Sequence, residues 1–232
     1  MEGISTLFNS FKEFIWDIIG YFLPDAYLII VISTCVKQDF LFNFHLHNER
    51  DEYYTLTLLI ISYLIGHAVY GLSTFKEKIR GKKSYKKRIE LEIAKEENFL
   101  IVNDLLKERY SKLGLNYCFE NISIRDKRRI VMGLVPEADH KVYTFTFRSH
   151  LSNHIGNISV IIGTMGIIMT FGTIFFSKLS LFNSQPRYIL LYLILILSYI
   201  FLRKTRDRFY KVSISLPFSL YFSKALDNVT KQ

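Results

Sequence analysis

The sequence predicts an all-α membrane protein with four transmembrane helices in two pairs, separated by a mainly helical cytoplasmic insertion. Long apolar runs occupy residues 15–36, 54–74, 155–176 and 187–202, and each approaches the roughly 20 residues with which a helix crosses a bilayer. Apolar residues make up 50% of the chain, although 22% of it is charged. The two classes are segregated along the chain instead of being mixed within each helix, which is typical of membrane proteins.

Basic residues give the predicted topology. The net charge is +9, and lysines and arginines are concentrated after the second and fourth apolar runs. Those that follow the second run, here called the basic run, are Lys76, Lys78, Arg80, Lys82, Lys83, Lys86, Lys87 and Arg88. Positively charged loops tend to stay in the cytoplasm, so we expect the insertion and both termini to be cytoplasmic.

Five segments follow from this topology. They are an amphipathic lead-in helix at 1–14, a first transmembrane hairpin at 15–74, a basic cytoplasmic domain at 75–150, a second transmembrane hairpin at 151–202 and a cytoplasmic tail at 203–232. Pro24 lacks a backbone donor and predicts a kink or break in the first span. Apolar and basic residues are mixed over 212–226, which is typical of a helix that lies along the inner face of a membrane.

Apolar spacing assigns the elements of the cytoplasmic domain. Residues 86–113 are predicted to form one helix, because apolar residues recur there at helical spacing. Residues 116–137 fit either a short strand or a short helix that ends at Pro136. Residues 142–148 alternate apolar residues with threonine, as a strand does, but no turn residue separates them from the third apolar run. We therefore favour a helix that continues into that run.

The second and third runs have the features of helices that pack against other helices. The second run carries a polar face at helical spacing, and the third contains small residues four positions apart, which let helix backbones approach closely. The fourth run is composed mainly of Leu, Ile and Tyr and is expected to face lipid. The candidates for helix packing or a pore are Gly66 and His67 in the second run, and Ser159, Gly163, Gly166 and Thr170 in the third.

Few residues of this sequence form the pattern of a catalytic or metal-binding site. His67 is ionisable and lies inside an apolar run, where such groups are functional candidates; we favour a neutral imidazole hydrogen-bonded to a neighbouring helix. His150 and His154 lie four positions apart, as in many zinc sites, but nothing nearby completes the ligand set of zinc, so we interpret them as an interfacial cap of the third span. The sequence predicts no metal and no cofactor. It lacks a Gly-rich phosphate loop, a GxSxG elbow, HExxH and CxxC, and we predict that the protein is not an enzyme.

The basic run has several candidate partners. Each positive charge near an anionic leaflet contributes about 1 kcal/mol to membrane binding, so we expect a lipid bilayer with anionic headgroups to be its main partner. A nucleic acid, a nucleotide and an acidic partner protein are the alternatives. Tyr85 is the only aromatic residue within the run, which argues against a nucleic-acid site built on stacked bases.

Two short segments resemble a known group of proteins. They are Gly20-Tyr21-Phe22-Leu23-Pro24 and Ser62-Tyr63-Leu64-Ile65-Gly66-His67. They resemble bacterial inner-membrane proteins with two spans, a cytoplasmic insertion and two further spans, in which a Gly-Tyr-Leu-Xaa-Pro-Gly segment and a Ser-Tyr-Xaa-Xaa-Gly-His segment recur. Asp25 stands where that group has its last glycine. Such proteins are encoded beside anti-phage systems and include CRISPR accessory proteins, the membrane component of Kiwa and membrane effectors of abortive infection.

This resemblance extends over the whole layout and implies an oligomeric membrane sensor or effector in the bacterial inner membrane. It assigns no catalytic residue. The leading hypothesis is a defence component that forms a homo-oligomer and perturbs the membrane, or that recruits a cytoplasmic partner protein. The alternatives are a small transporter or ion channel unrelated to defence, and a membrane scaffold that tethers a cytoplasmic partner.

Overall fold

Helices make up almost all of the chain that the structure describes. It is a computed structural model that describes residues 22–37, 51–81, 84–112, 114, 122–175 and 181–229. The helices in these ranges are α1 (Phe22–Cys35), α2 (Asp51–Arg80), α3 (Tyr85–Ile93), α4 (Glu97–Ser111), α5 (Ile124–Leu134), α6 (Ala138–Phe175) and α7 (Pro186–Val229). An isolated antiparallel bridge pairs Val36 with Phe182. The predicted all-helical class is confirmed over these ranges. The lead-in helix predicted at 1–14 lies outside them, as do Lys82 and Lys83.

Two helices, α6 and α7, are long and apolar enough to cross a membrane. Their apolar lengths are Ala138–Thr173 and Pro186–Asp227, and α1 is a shorter apolar helix. The core helix of a soluble protein passes the same test of length and composition, but it is mostly buried. Of the most apolar stretch of α6, 39% is buried within the chain, and of that of α7 only 11%. The described residues therefore contain two candidate spans, where the sequence predicts four.

The described residues divide into two compact units. The first comprises the described residues up to Lys76 together with His150–Lys204, and the second comprises Glu77–Ser149 together with the described residues from Thr205 onward. The sequence analysis treated 203–232 as a tail separate from the cytoplasmic domain. In the structure, most of this segment folds with the residues of that domain.

The core of the first unit joins α1, α6 and α7. Its buried apolar residues are Val31, Cys35, Val36, Ile158, Ile162, Phe182, Tyr192 and Leu195. Beside the bridge, the N–H group of Asn183 donates to the carbonyl oxygen of Cys35 at 2.9 Å. The hydroxyl of Tyr192 donates to the carbonyl oxygen of Asn183 at 2.8 Å. The first bond pairs the carbonyl oxygen of Cys35, which the end of α1 would otherwise leave unsatisfied.

The core of the second unit is built by α3, α4, α5 and α7. Its buried apolar residues are Tyr85, Ile89, Ile93, Phe99, Val102, Leu106, Val131, Tyr210, Ile214 and Phe218. The rings of Phe99 and Phe218 meet edge to face with centroids 4.9 Å apart. Ile214 and Phe218 are each only 1% exposed. The expectation that 212–226 lies along a membrane surface is therefore wrong for these two residues, because they fill a protein core.

The helix predicted over 86–113 is two helices, α3 and α4, separated by a turn at 94–96. The turn is closed by a bond from the N–H of Glu96 to the carbonyl oxygen of Ile93 at 2.9 Å. Ile93 and Phe99 are six positions apart, so a straight helix would place them on different faces, about 120° apart. The turn allows both residues to be buried in the same core.

Two alternatives left open by the sequence are resolved. Residues 124–134 form a helix, α5, and the hydroxyl of Ser123 caps it by accepting a bond from the N–H of Asp126 at 3.3 Å. Residues 142–148 belong to α6, which continues into the third apolar run, so the favoured helix is confirmed. Pro24 lies near the first described residue of α1, and the residues before Phe22, where its effect on the helix would show, lie outside the described ranges. The break at Pro24 therefore stays a prediction.

Candidate functional site

A row of polar side chains joins α2 to α6 inside the first unit. Lys76 Nζ donates to Asn157 Oδ1 at 2.8 Å, and the amide of Asn153 donates to the hydroxyl of Ser73. The ring of Tyr70 meets the ring of His154 edge to face, with centroids 5.4 Å apart. We call this group the polar seam; its members are Tyr70, Ser73, Lys76, Asn153, His154 and Asn157. On α2 they lie three positions apart, and on α6 Asn157 lies four positions after Asn153 and three after His154, so the contacts follow one face of each helix.

Burial distinguishes the polar seam from an ordinary surface. Ser73, Asn153, His154 and Asn157 are each less than 9% exposed, in an otherwise apolar pair of helices. Polar side chains in such a position hold two helices together when they are hydrogen-bonded to each other. If the helices separate, these side chains lose their partners, which is destabilising in an apolar environment. The contacts of the polar seam therefore hold α2 against α6 in this structure.

Lys76 belongs to the polar seam. The sequence analysis placed it among the lipid-binding or partner-binding residues of the basic run. In the structure it is half-buried, bonded to Asn157, and its Nζ lies 5.7 Å from the centroid of the Tyr199 ring. Its ammonium group is thus already engaged within the first unit. The signal that could have revealed this is the presence of two asparagines, Asn153 and Asn157, at the start of the third apolar run.

The remaining members of the basic run do not share one environment. Lys78 and Lys87 are exposed, whereas Arg80 and Lys86 are half-buried. Arg88 forms an ion pair with Asp207, and a longer one with Glu92 at 3.8 Å. Only part of the run is therefore exposed in the way that a solvated, lipid-facing patch requires.

Asp25 is a buried acid that the sequence analysis noted only as a departure from glycine. It is 1% exposed, and both of its carboxylate oxygens are inaccessible and without a hydrogen-bond partner. Its electrostatic partner is the imidazole of His67. A buried carboxylate without a hydrogen bond is destabilising, and ionisable groups in such positions are functional candidates. An acid inside the first apolar run is the sequence signal that marks it.

The imidazole of His67 contacts Tyr63, which lies one turn earlier on the same helix. Its Nδ1 is 3.0 Å from the carbonyl oxygen of Tyr63, one turn earlier in α2. The rings of the two residues have centroids 4.4 Å apart. The sequence predicts a hydrogen bond from His67 to a neighbouring helix, whereas this contact is with the same helix. Gly66 also lies in α2, but its surroundings lie outside what the structure describes.

The small residues of the third apolar run lie against α7 and α1. A Cβ atom on Gly163 would be 2.8 Å from the carbonyl oxygen of Tyr192, and one on Gly166 would be 2.5 Å from the Tyr192 ring. The hydroxyl of Ser159 is hydrogen-bonded to that of Tyr27 at 2.7 Å, and Thr170 donates to the carbonyl oxygen of Gly166 at 2.7 Å. This face therefore packs helices within one chain, so contact between copies would need another face.

No metal centre is apparent in the ranges that the structure describes. The rings of His150 and His154 have centroids 6.3 Å apart and both lie near Tyr70. Within these ranges, no group of three or more His, Cys, Asp or Glu residues is placed to hold a metal ion.

No protein-family model, curated protein or solved structure matches this chain. The features of this chain that bear on its function are the polar seam, the buried Asp25 and the exposed apolar surfaces of α6 and α7.

Proposed function

We propose that this chain is a membrane-embedded sensor or effector of a bacterial anti-phage defence system. Its second unit receives a signal, and its first unit responds by opening the polar seam and disturbing the membrane. The observation that carries the membrane part of this proposal is the exposed apolar surface of α6 and α7. The resemblance of Gly20–Pro24 and Ser62–His67 to defence-associated membrane proteins supports the defence part.

The exposed surface has the character of a lipid contact. On α7, Leu190 and Phe201 are 62% and 68% exposed, and on α6 Ile168 is 61% exposed. Soluble monomers rarely expose contiguous apolar patches of this kind. A bilayer would cover these side chains, with α1 and α2 as the two further spans. The basic residues Arg203 and Lys204, both exposed, would then mark the cytoplasmic end of α7 in the inner membrane, with both ends of this chain in the cytoplasm.

Homo-oligomerisation, in this proposal, uses the exposed apolar faces of α6 and α7. The small-residue face is occupied by Tyr192 of the same chain. A surface that lipid covers in the resting state can pair with a second copy after the signal, since such a pairing exchanges lipid contacts for protein contacts. Anionic lipid headgroups contact the exposed lysines of the basic run, and a cytoplasmic protein is the expected source of the signal.

Loss of the Asn157 acceptor is expected to open the polar seam without a signal. In Asn157→Leu the ammonium group of Lys76 loses its hydrogen bond, and hydrogen bonds to charged groups contribute about 1.5–3 kcal/mol. The open state should therefore become roughly 10- to 100-fold more populated. Cells that produce this variant should lose membrane potential and stop growing without phage. Wild-type cells should grow normally, resist phage plating and retain the protein in membranes after carbonate extraction.

Thr164→Val is the matched control, because Thr164 lies on α6 but is exposed. It should leave growth and protection unchanged. If carbonate extracts the wild-type protein from membranes, the membrane part of the proposal is refuted. If phages plate equally well on cells with and without the protein, the defence part is refuted. Normal growth and intact protection with Asn157→Leu would refute the role of the polar seam.

Asp25 favours a second candidate function, a small transporter or ion channel. A buried carboxylate that faces an imidazole is the arrangement with which membrane proteins carry protons or bind small cations. In proteoliposomes, the wild type should then carry protons or monovalent cations without any partner. Asp25→Asn should reduce that flux at least about tenfold, equivalent to about 1.4 kcal/mol, whereas the exposed acid Asp104 should tolerate the same change. Absence of wild-type flux would exclude this function.

A further inference from the structure

Three cations of the second unit surround one carboxylate. Arg125 of α5 interacts electrostatically with Lys86 of α3 and with Arg128 of α5, and Lys86 and Arg128 each interact with Glu90. Glu90 Oε1 already accepts bonds from Arg125 Nε at 2.5 Å and from the Tyr210 hydroxyl at 2.9 Å. We call Lys86, Arg125 and Arg128 the cation cluster. Its members are held in place because Lys86 and Glu90 lie four positions apart on one helix, and the two arginines three positions apart on another.

The cation cluster is partly removed from solvent. Lys86 and Arg128 are half-buried, and burial, followed by the charge of Arg125, lowers the pKa of Lys86 below its usual range. The Nε atom of Arg128 is inaccessible and has no hydrogen-bond partner. A buried charged donor without an acceptor is destabilising. The side chain of Arg125 is 46% exposed, so the cluster is open to a ligand from solution.

The neighbouring acids are too few to neutralise these cations. Glu77 accepts a bond from the hydroxyl of Ser84 at 2.5 Å, and Asp207 is shared by Arg88 and Arg206. The local charged groups, among described residues, are the cations Lys86, Arg88, Arg125, Arg128 and Arg206 and the acids Glu77, Glu90, Glu92 and Asp207. One positive charge is left unmatched. A phosphate group, which carries about −1.5 to −2 charges as a monoester at neutral pH, supplies at least that much negative charge.

We infer that the cation cluster is a binding site for a phosphate group. The planar guanidinium groups of arginines match the oxygens of a phosphate in pairs, and the Nε atom of Arg128 has no acceptor among the described residues. A carboxylate offers two acceptor oxygens, whereas a phosphate monoester offers three. The phosphate can belong to a soluble metabolite or to a phospholipid headgroup, because both present the same oxygens. The site is argued from the second unit alone and does not require the proposed function.

Titration of the full chain with inorganic phosphate and with ATP tests this site. The protein is held in an uncharged maltoside detergent and a phosphate-free buffer, with sodium chloride added to keep ionic strength constant. Calorimetry should detect saturable binding to the wild type. Arg128→Gln should weaken it roughly 10- to 100-fold, because one charge-assisted hydrogen bond is lost. Arg129→Gln should change it less than about twofold, since the Arg129 side chain is 77% exposed and paired with Asp126.

A second arm identifies the source of the phosphate. The same micelles are doped with phosphatidic acid, or with phosphatidylcholine as the zwitterionic lipid, and binding is measured by the change in melting temperature. Response to inorganic phosphate or ATP supports a soluble ligand, and response to phosphatidic acid alone supports a lipid headgroup.

Two outcomes would overturn the proposal. The first is no saturable response in either arm. The second is equal weakening by Arg128→Gln and Arg129→Gln, which would indicate attraction to the net positive charge and not a site. If circular dichroism shows that Arg128→Gln does not fold, Lys86→Gln is compared with Lys95→Gln, because Lys95 is exposed in the turn between α3 and α4.

Discussion

Gly163→Ala is expected to destabilise the first unit by about 1–3 kcal/mol, the usual effect of an extra methyl group in a closely packed contact. The direction is opposite to helix propensity, which favours alanine over glycine by about 1 kcal/mol. The new Cβ would lie 2.8 Å from the carbonyl oxygen of Tyr192 and 2.9 Å from Cγ1 of Ile196. The first of these atoms belongs to the backbone of α7. It cannot rotate away, so the two helices would have to separate.

Two other glycines of α6 provide a graded control. A Cβ on Gly172 meets nothing within 4 Å, and a Cβ on Gly156 meets side-chain atoms of Tyr199 and Leu202 at 3.4 Å. Gly172→Ala should therefore leave the melting temperature unchanged or raise it, and Gly156→Ala should have a small effect. Thermal unfolding of the purified chain, followed by circular dichroism in detergent, gives the order of the three.

The same series separates packing within one chain from assembly between chains. If the small-residue face joined separate copies, as the sequence pattern alone allows, Gly163→Ala would lower the mass of the oligomer measured by light scattering. It would do so with little effect on the melting of each chain. We expect the reverse, because Tyr192 already occupies this face.

The helical class was predictable because long apolar runs and helical spacing are local signals. The continuation of α6 through 142–148 was also predictable, since no turn residue separates that segment from the third apolar run. The break at 94–96 was not, because both halves of the predicted helix have apolar residues at helical spacing. Only the burial of Ile93 and Phe99 in one core shows why the chain must turn there.

The polar contacts were less predictable than the helices. In the sequence, Lys76 is one basic residue among many. Only the structure shows that its ammonium group lies 2.8 Å from Oδ1 of Asn157, which is 81 positions away in the chain. Asp25 was visible as an acid in an apolar run, but its burial depends on how α1 packs. Arg128 lies among several charged residues in the sequence, and only the structure shows that its Nε is buried without a hydrogen-bond partner.

Arg206 should have the largest effect on stability of any single side chain in the second unit. It is 1% exposed. Its guanidinium lies 3.8 Å from the centroid of the Tyr85 ring, and it bonds Asp207 Oδ1 at 2.7 and 2.9 Å. Tyr85 is 3% exposed, and burial raises its pKa to about 12. A cation over an aromatic face interacts more strongly when both groups are desolvated.

Arg206→Gln is therefore expected to lower the free energy of unfolding by about 3 kcal/mol, the lower end of the range for removing one partner of a buried ion pair. The lower end applies because Asp207 keeps its ion pair with Arg88. Arg206→Lys should recover only part of the loss, since an ammonium group has no planar face to stack on Tyr85. Arg208→Gln is the control, because Arg208 is exposed on the same helix and should change stability by less than about 0.5 kcal/mol. Chemical unfolding followed by near-ultraviolet circular dichroism of the tyrosines measures all three variants. Equal losses for Arg206→Gln and Arg208→Gln would mean that the loss reflects net charge and not the stacked, buried guanidinium.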